Sequence, residues 1–122
     1  MTDTIETRAG VPVLVCAPDG PRIASPQDAL DLIGAAFAGA EVVAVPVSRL
    51  DPGFFTLSTG LAGEIMQKFV NYRLRLAVVG DLSAYETASR ALRDLVRESN
   101  RGNQIWFLPS PADLDARLAA FR

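Results

Sequence analysis

"RLRLAVVGD", Arg73 to Asp81, decides the fold class. Leu74 to Val79 is almost wholly apolar, so it lacks the alternation of a strand with one face in water. A run of this kind is covered on both faces and belongs in the middle of a parallel sheet. Gly80-Asp81 closes it with turn chemistry. "EVVAVPV", 41–47, has the same valine-rich character, and Pro46 marks its end or a bulge. Parallel neighbours cannot be joined by a tight hairpin, so a crossover helix is expected between each pair.

The helices announce themselves by their caps. In "SPQD", Ser25 is placed as N-cap, Pro26 as the first helical residue and Asp28 near the positive end of the dipole. Leu30, Ile33 and Phe37 form the expected apolar stripe, ending near Gly39. Asp51-Pro52 predicts a single helical turn, after which Leu61, Ile65 and Phe69 recur every four residues with Ala62 and Met66 beside them. Ser83 and Glu86 have the spacing of a capping box. One helix is expected from there through Leu92, Leu95 and Val96 to Asn100, with Gly102 as its stop. Ser110 of "SPAD" caps a last helix carrying Leu114, Leu118 and Phe121.

At the other end of the chain "TIETR" alternates, Ala9-Gly10 can turn, and "VPVLVCA" follows, so the first strand is expected antiparallel at an edge. "QIWFLPS" is the last strand. The order β-β-α-β-α-β-α-β-α predicts a single α/β domain over 1–122, with a mixed sheet whose antiparallel edge strand is N-terminal. A length of 122 residues with 49% hydrophobic residues suits one core.

Composition closes off much chemistry. The chain has no histidine, which removes Ser-His-Asp and Cys-His catalysis and His-based zinc sites. The single cysteine, Cys16, excludes an internal disulfide and reads as a small buried hydrophobe suited to a reducing compartment. "MTDTIETRAG" has neither a basic start nor an apolar core of a secretory signal, and no apolar run approaches the roughly 20 residues that span a bilayer. The expectation is a soluble cytoplasmic protein with no membrane partner. A net charge of −2, with arginines interleaved among acids, gives no pull toward nucleic acid.

Ligands of open α/β sheets collect outside the carboxyl ends of the strands. That rule selects "PDGPR", "SRLDPG", "GDLSAY" and "PSP", and within them Asp19, Asp51, Asp81 and Ser83. Asp51 also reads as a cap and Asp81 as a turn residue. Their spacing makes no metal site, so no metal and no cofactor are expected. Gly60 and Gly63 match neither phosphate-loop pattern; as small residues they would let their helix approach the sheet closely. Arg90, Arg93, Arg97 and Arg101 share one side of a helix, either a solvated face with pairs such as Arg90 to Asp94 or a surface for an acidic partner. Trp106 and Phe107 must point to opposite faces of their strand. One ring is core, and the other is covered by a helix or by a second copy in a homodimer.

Two resemblances add to this. "GLAGEIMQKF", "NYR" and "LAVVGD", with "SPQDALDLI" and "RESNRG", are similar to the bacterial family catalogued as domain of unknown function 4180, a kinship that implies no particular activity. More distantly, the element order and "LSTGLAGEI" resemble the STAS domain, the fold of anti-sigma factor antagonists. In that family a serine at the start of a helix is phosphorylated by a partner kinase. Ser58 and Thr59 match its two serines, Gly60 and Leu61 its Gly-Leu, and Leu57 stands where its motif has aspartate. The resemblance implies a bacterial, non-enzymatic regulatory module that meets a protein partner around Ser58 and Thr59. The alternative from the residues alone is a small-molecule binder or modest enzyme using Asp19, Asp51, Asp81 and Ser83.

Overall fold

The computed structural model describes residues 3–121. Strands β1 (Thr4–Arg8) and β2 (Val11–Val15) form the expected hairpin. Its turn is made by Ala9 and Gly10, both with positive φ, 49° and 80°, the pair of left-handed residues that a two-residue hairpin turn requires. Strands β3 (Val42–Pro46), β4 (Arg75–Val79) and β5 (Ile105–Leu108) then add in parallel, in the order β1-β2-β3-β4-β5. β4 lies between β3 and β5, paired Ala44 to Ala77 and Ala77 to Trp106, which is the central position its apolar run predicts. Pro46 is the last residue of β3 and so costs the ladder nothing in its interior.

Helices α1 (Pro26–Ala36) and α2 (Leu61–Asn71) make the first two crossovers. α1 is capped as read: Ser25 Oγ accepts from the Asp28 amide at 3.2 Å, while the Asp28 carboxylate accepts from the Ala24 amide. Its buried stripe is Ala29, Leu32, Ile33 and Ala36, and Phe37 is 63% exposed. The sheet thus selects a face rotated from Leu30, Ile33 and Phe37, because two alanines allow closer approach than a phenylalanine would.

The third crossover departs from the single expected helix. It is split into α3 (Ser83–Ala88) and α4 (Arg90–Arg101) at Ser89, which is extended at φ −140° and turns its hydroxyl to cap the Leu92 amide at 3.1 Å. α3 buries no residue of its own, whereas α4 buries Leu92, so breaking the helix lets each piece dock independently. The Ser83–Glu86 capping box does not form either: the Ser83 amide is taken by Asp81 Oδ1 at 2.9 Å. On the exposed side of α4 the ion pair joins Arg101 to Glu98, not Arg90 to Asp94.

Consecutive strand order with right-handed crossovers puts every crossover helix on one face. Ile33, Ile65, Phe69 and Leu92 accordingly share a core with Leu14, Val43, Val78 and Phe107. The opposite face, bearing Val13, Val42, Ala44, Ala77 and Trp106, is covered by α5 (Pro111–Phe121) through Leu114 and Leu118. Both large rings of β5 are therefore buried within the chain, Phe107 under the crossover helices and Trp106 under α5. Neither offers a surface to a second copy.

Two devices finish the sheet. Asn100 of α4 donates to the Phe107 carbonyl at 3.0 Å and accepts from its amide at 2.8 Å, occupying the open edge of β5 as a neighbouring strand would. Arg117 of α5 bonds the carbonyls of Asn100 and Gly102 and lies 4.9 Å over the Trp106 ring, locking the lone helix of the second face to the end of α4.

Candidate functional site

The carboxyl ends of β2 to β4 feed loops rather than long helices. After β3 the chain makes three short 3-10 turns, Val47–Arg49, Pro52–Phe55 and Leu57–Thr59, before α2 begins. Asp51 caps the middle one, accepting from the Gly53 amide at 2.9 Å, and faces Arg22 at 3.6 Å. Phe54 and Phe55 are driven inward by this turn, and Phe55 stacks on Tyr85 of α3 with centroids 4.3 Å apart.

The hydroxyl pair that opens α2 divides its labour. Thr59 Oγ1 donates toward the carbonyls of Gly53 (2.8 Å) and Thr56 (2.9 Å) and accepts from the Leu61 amide at 3.2 Å. It therefore pins the turns together and takes the first amide of α2 from the position before Gly60, the N-cap residue. The exposed Ser58 hydroxyl makes no hydrogen bond among the described residues. Gly60 sits between them and the helix at φ 79°, a left-handed conformation that favours glycine. The expectation that Gly60 and Gly63 bring α2 close to the sheet is overturned. Both are exposed, a Cβ on either would meet no atom within 4 Å, and close contact is made by Ala62, Ile65 and Phe69.

The acidic candidates do not converge. Asp81 and Ser83, with Glu86, line a hollow of about 110 Å³ from which Asp19 and Asp51 are absent. Among the described residues no three Cys, Asp or Glu side chains gather to hold a metal ion. The Asp81 carboxyl lies below its ordinary range because the Ser83 amide, and then the Ser83 hydroxyl, bond to the ionised form. That is the signature of a turn acceptor.

Two features of this end escape a residue-by-residue reading. The first is Arg49, buried to 3% exposure. Its guanidinium donates to Asp3 Oδ1 at 2.8 Å, to the Ala17 carbonyl at 3.0 Å and to the Pro21 carbonyl at 2.7 Å, while the same Asp3 oxygen accepts from the Ala17 amide. One arginine thus ties the N-terminal segment and the loop after β2 to the exit of β3. Gly20 is required beside it, since a Cβ there would lie 2.6 Å from the guanidinium carbon. Burial, and then the charge of Asp3, push the neighbouring Cys16 thiol up to about 12, so it is held protonated and unreactive.

The second feature is a half-open cavity of about 290 Å³ on the α5 side of the carboxyl end, between Val15, Ala44, Pro46 and Val79 of the sheet and Pro111 and Leu114 of α5. A strand order without reversal has no topological switch point and so no crevice of that origin. The depth here comes instead from α5 crossing a face it only partly covers. The only sign in the sequence is the prolines at the strand exits, Pro18, Pro46, Pro109 and Pro111.

With this geometry in place, the comparison with known families is informative. Residues 8–118 match the family described as Domain of unknown function (DUF4180). The chain belongs to this family. No curated protein and no solved structure matches this DUF4180 chain. Among the described residues of this DUF4180 domain no helix is long and apolar enough to cross a membrane.

Proposed function

We infer that this DUF4180 protein is a non-enzymatic interaction module, regulated by phosphorylation of Ser58 where the turns after β3 enter α2. The observation that carries it is the contrast between neighbours: Thr59 is consumed by structural hydrogen bonds, whereas Ser58 presents a free, exposed hydroxyl. A phosphate at this position adds roughly −1.5 to −2 charge beside the first amides of a helix, which favours the anion and changes what the surface can meet. The surrounding surface also suits a protein partner, since Leu57 is half-buried on these turns and Tyr85 of α3, stacked on their Phe55, is partly exposed.

Phosphopeptide mapping of the protein taken from its native cells tests this directly. Phosphate on Ser58 is the expected result, together with a partner whose capture differs between the unmodified chain and Ser58→Asp. A chain unmodified at Ser58 in every growth phase, or phosphate confined to other residues, overturns it. The reading that Asp19, Asp51, Asp81 and Ser83 bind a small molecule gains no support from their geometry, because Asp51 and Asp81 each commit an oxygen to a turn amide.

A further inference from the structure

The cavity beneath α5 lies apart from the Ser58 surface and is used by nothing described so far. Its floor is the carboxyl end of three parallel strands, Val15, Ala44 and Val79 on one face, and its far wall is the first turn of α5 at Pro111 and Leu114. We propose that it binds a compact, neutral, apolar molecule of one or two rings.

Size is the first argument. An apolar cavity of about 150 Å³ holds one benzene ring, and ligand pockets begin near about 300 Å³. At about 290 Å³ this cavity has room for one ring or a fused pair. It has no room for a helix about 10 Å across, so a partner element cannot seat in it.

The chemistry of the wall is the second. Among the described residues, Arg8 is the one charged side chain that lines it. Its guanidinium is already engaged, by Asp115 through two bonds of 2.7 and 2.9 Å and by Glu6 at 2.9 Å. An ionised ligand would therefore leave water for a wall with no free counter-charge, which is costly. A neutral ring avoids that charge-desolvation cost and gains contact with proline rings and valine methyls.

Rigidity is the third. The lining comes from strand ends held in register, from prolines with fixed φ, and from a helix tied down in its middle by the Arg8–Asp115 pair and by Arg117. A site already in shape binds without ordering cost. Val15, Pro46 and Val79 are half-buried, so the mouth is open to solvent.

Indole serves as the neutral probe, with benzoate and benzylamine as its charged counterparts of similar size. Indole is expected to shift the methyl resonances of Val15, Ala44, Val79 and Leu114 saturably and to raise Tm by about 5 °C near saturation. The charged probes should bind at least about tenfold more weakly. Ala44→Leu fills the floor and should abolish the shifts at Leu114. Should that variant fail to fold, Val15→Trp fills the mouth from a half-exposed position and makes the same test. Ser58→Ala should leave indole binding unchanged, which separates this proposal from the phosphorylation reading. Failure of indole to saturate, shifts centred on the exposed Phe37 and Tyr72 pair, or tighter binding of benzoate through Arg8 would each overturn it. So would a concentration-dependent dimer that indole disperses, since the occupant would then be a second copy of the chain.

Discussion

The two faces of this sheet are built from the same kind of residue and end up in different conditions. One is sealed by α1, α2 and α4, which supply Ile33, Ile65, Phe69 and Leu92; the other is crossed by α5 alone and keeps a cavity beside it. Polarity does not explain this, for apolar residues floor both faces: Leu14, Val43, Val45 and Leu76 on one, Val13, Val42, Ala44 and Ala77 on the other. The cause is winding: strands added in consecutive order send every crossover to one side, and only the segment after the last strand is left to cover the other. A fold of this type concentrates its stability on one face and leaves room for binding on the second.

Matched truncations give the largest test of that asymmetry. Ile65 and Leu118 are each 1% exposed, on the sealed and the thinly covered face respectively. Ile65→Ala is expected to cost about 4 kcal/mol and Leu118→Ala about 3, because Leu118 lies under a single helix and loses fewer packed neighbours than Ile65. Equal costs in urea unfolding would break the comparison. Next comes the seam at the carboxyl end. Arg49→Ala should cost about 3 kcal/mol by stranding Asp3 and two carbonyls, and should loosen amide exchange in the loop after β2 before it affects α2.

Cys16 sharpens the boundary between the faces. Its side chain packs in the sealed core although the residue borders the cavity, so at pH 8 a thiol reagent should label it about 100-fold more slowly than in the unfolded chain. Rapid labelling would show that the cavity reaches through to the sulfur. The sign of its pH dependence follows from the same burial. The folded thiol ionises near 12 against an ordinary 9.0, so the unfolded chain loses its proton first, and stability should fall as pH climbs above 9.0. The smallest effect separates two adjacent hydroxyls: Thr59→Ala should cost about 1 kcal/mol and Ser58→Ala less than about 0.5, as thermal melts would show.

Much of the frame was legible residue by residue. The Ser25-Pro26 and Ser110-Pro111 starts, the Ala9-Gly10 turn and the central place of Arg75–Val79 all depend on local patterns that survive packing. The misreadings arose where local patterns compete. Ser89 inside a helical repeat can propagate the helix or cap a new one, and docking of α4 chose the cap. Phe37 fits an apolar stripe, but the sheet took Ala29 and Ala36 in its place. The candidate site was legible only in part. Ser58, Thr59 and the turn at Asp51 lie where expected, yet nothing local distinguishes Ser58 from Thr59, since the carbonyls that claim Thr59 come from Gly53 and Thr56.

By itself the sequence determined the class: apolar runs without alternation demand buried parallel strands, and capped amphipathic repeats demand helices between them. It also excluded histidine-based chemistry outright. Tertiary structure alone decided that Arg49 would be buried among carbonyls from distant loops, that Trp106 would vanish under α5, and that a cavity would open between α5 and the strand ends. Those outcomes depend on which segments meet across long separations in sequence, and hydrophobic periodicity, which reports only the neighbours of each residue along the chain, carries no information about that.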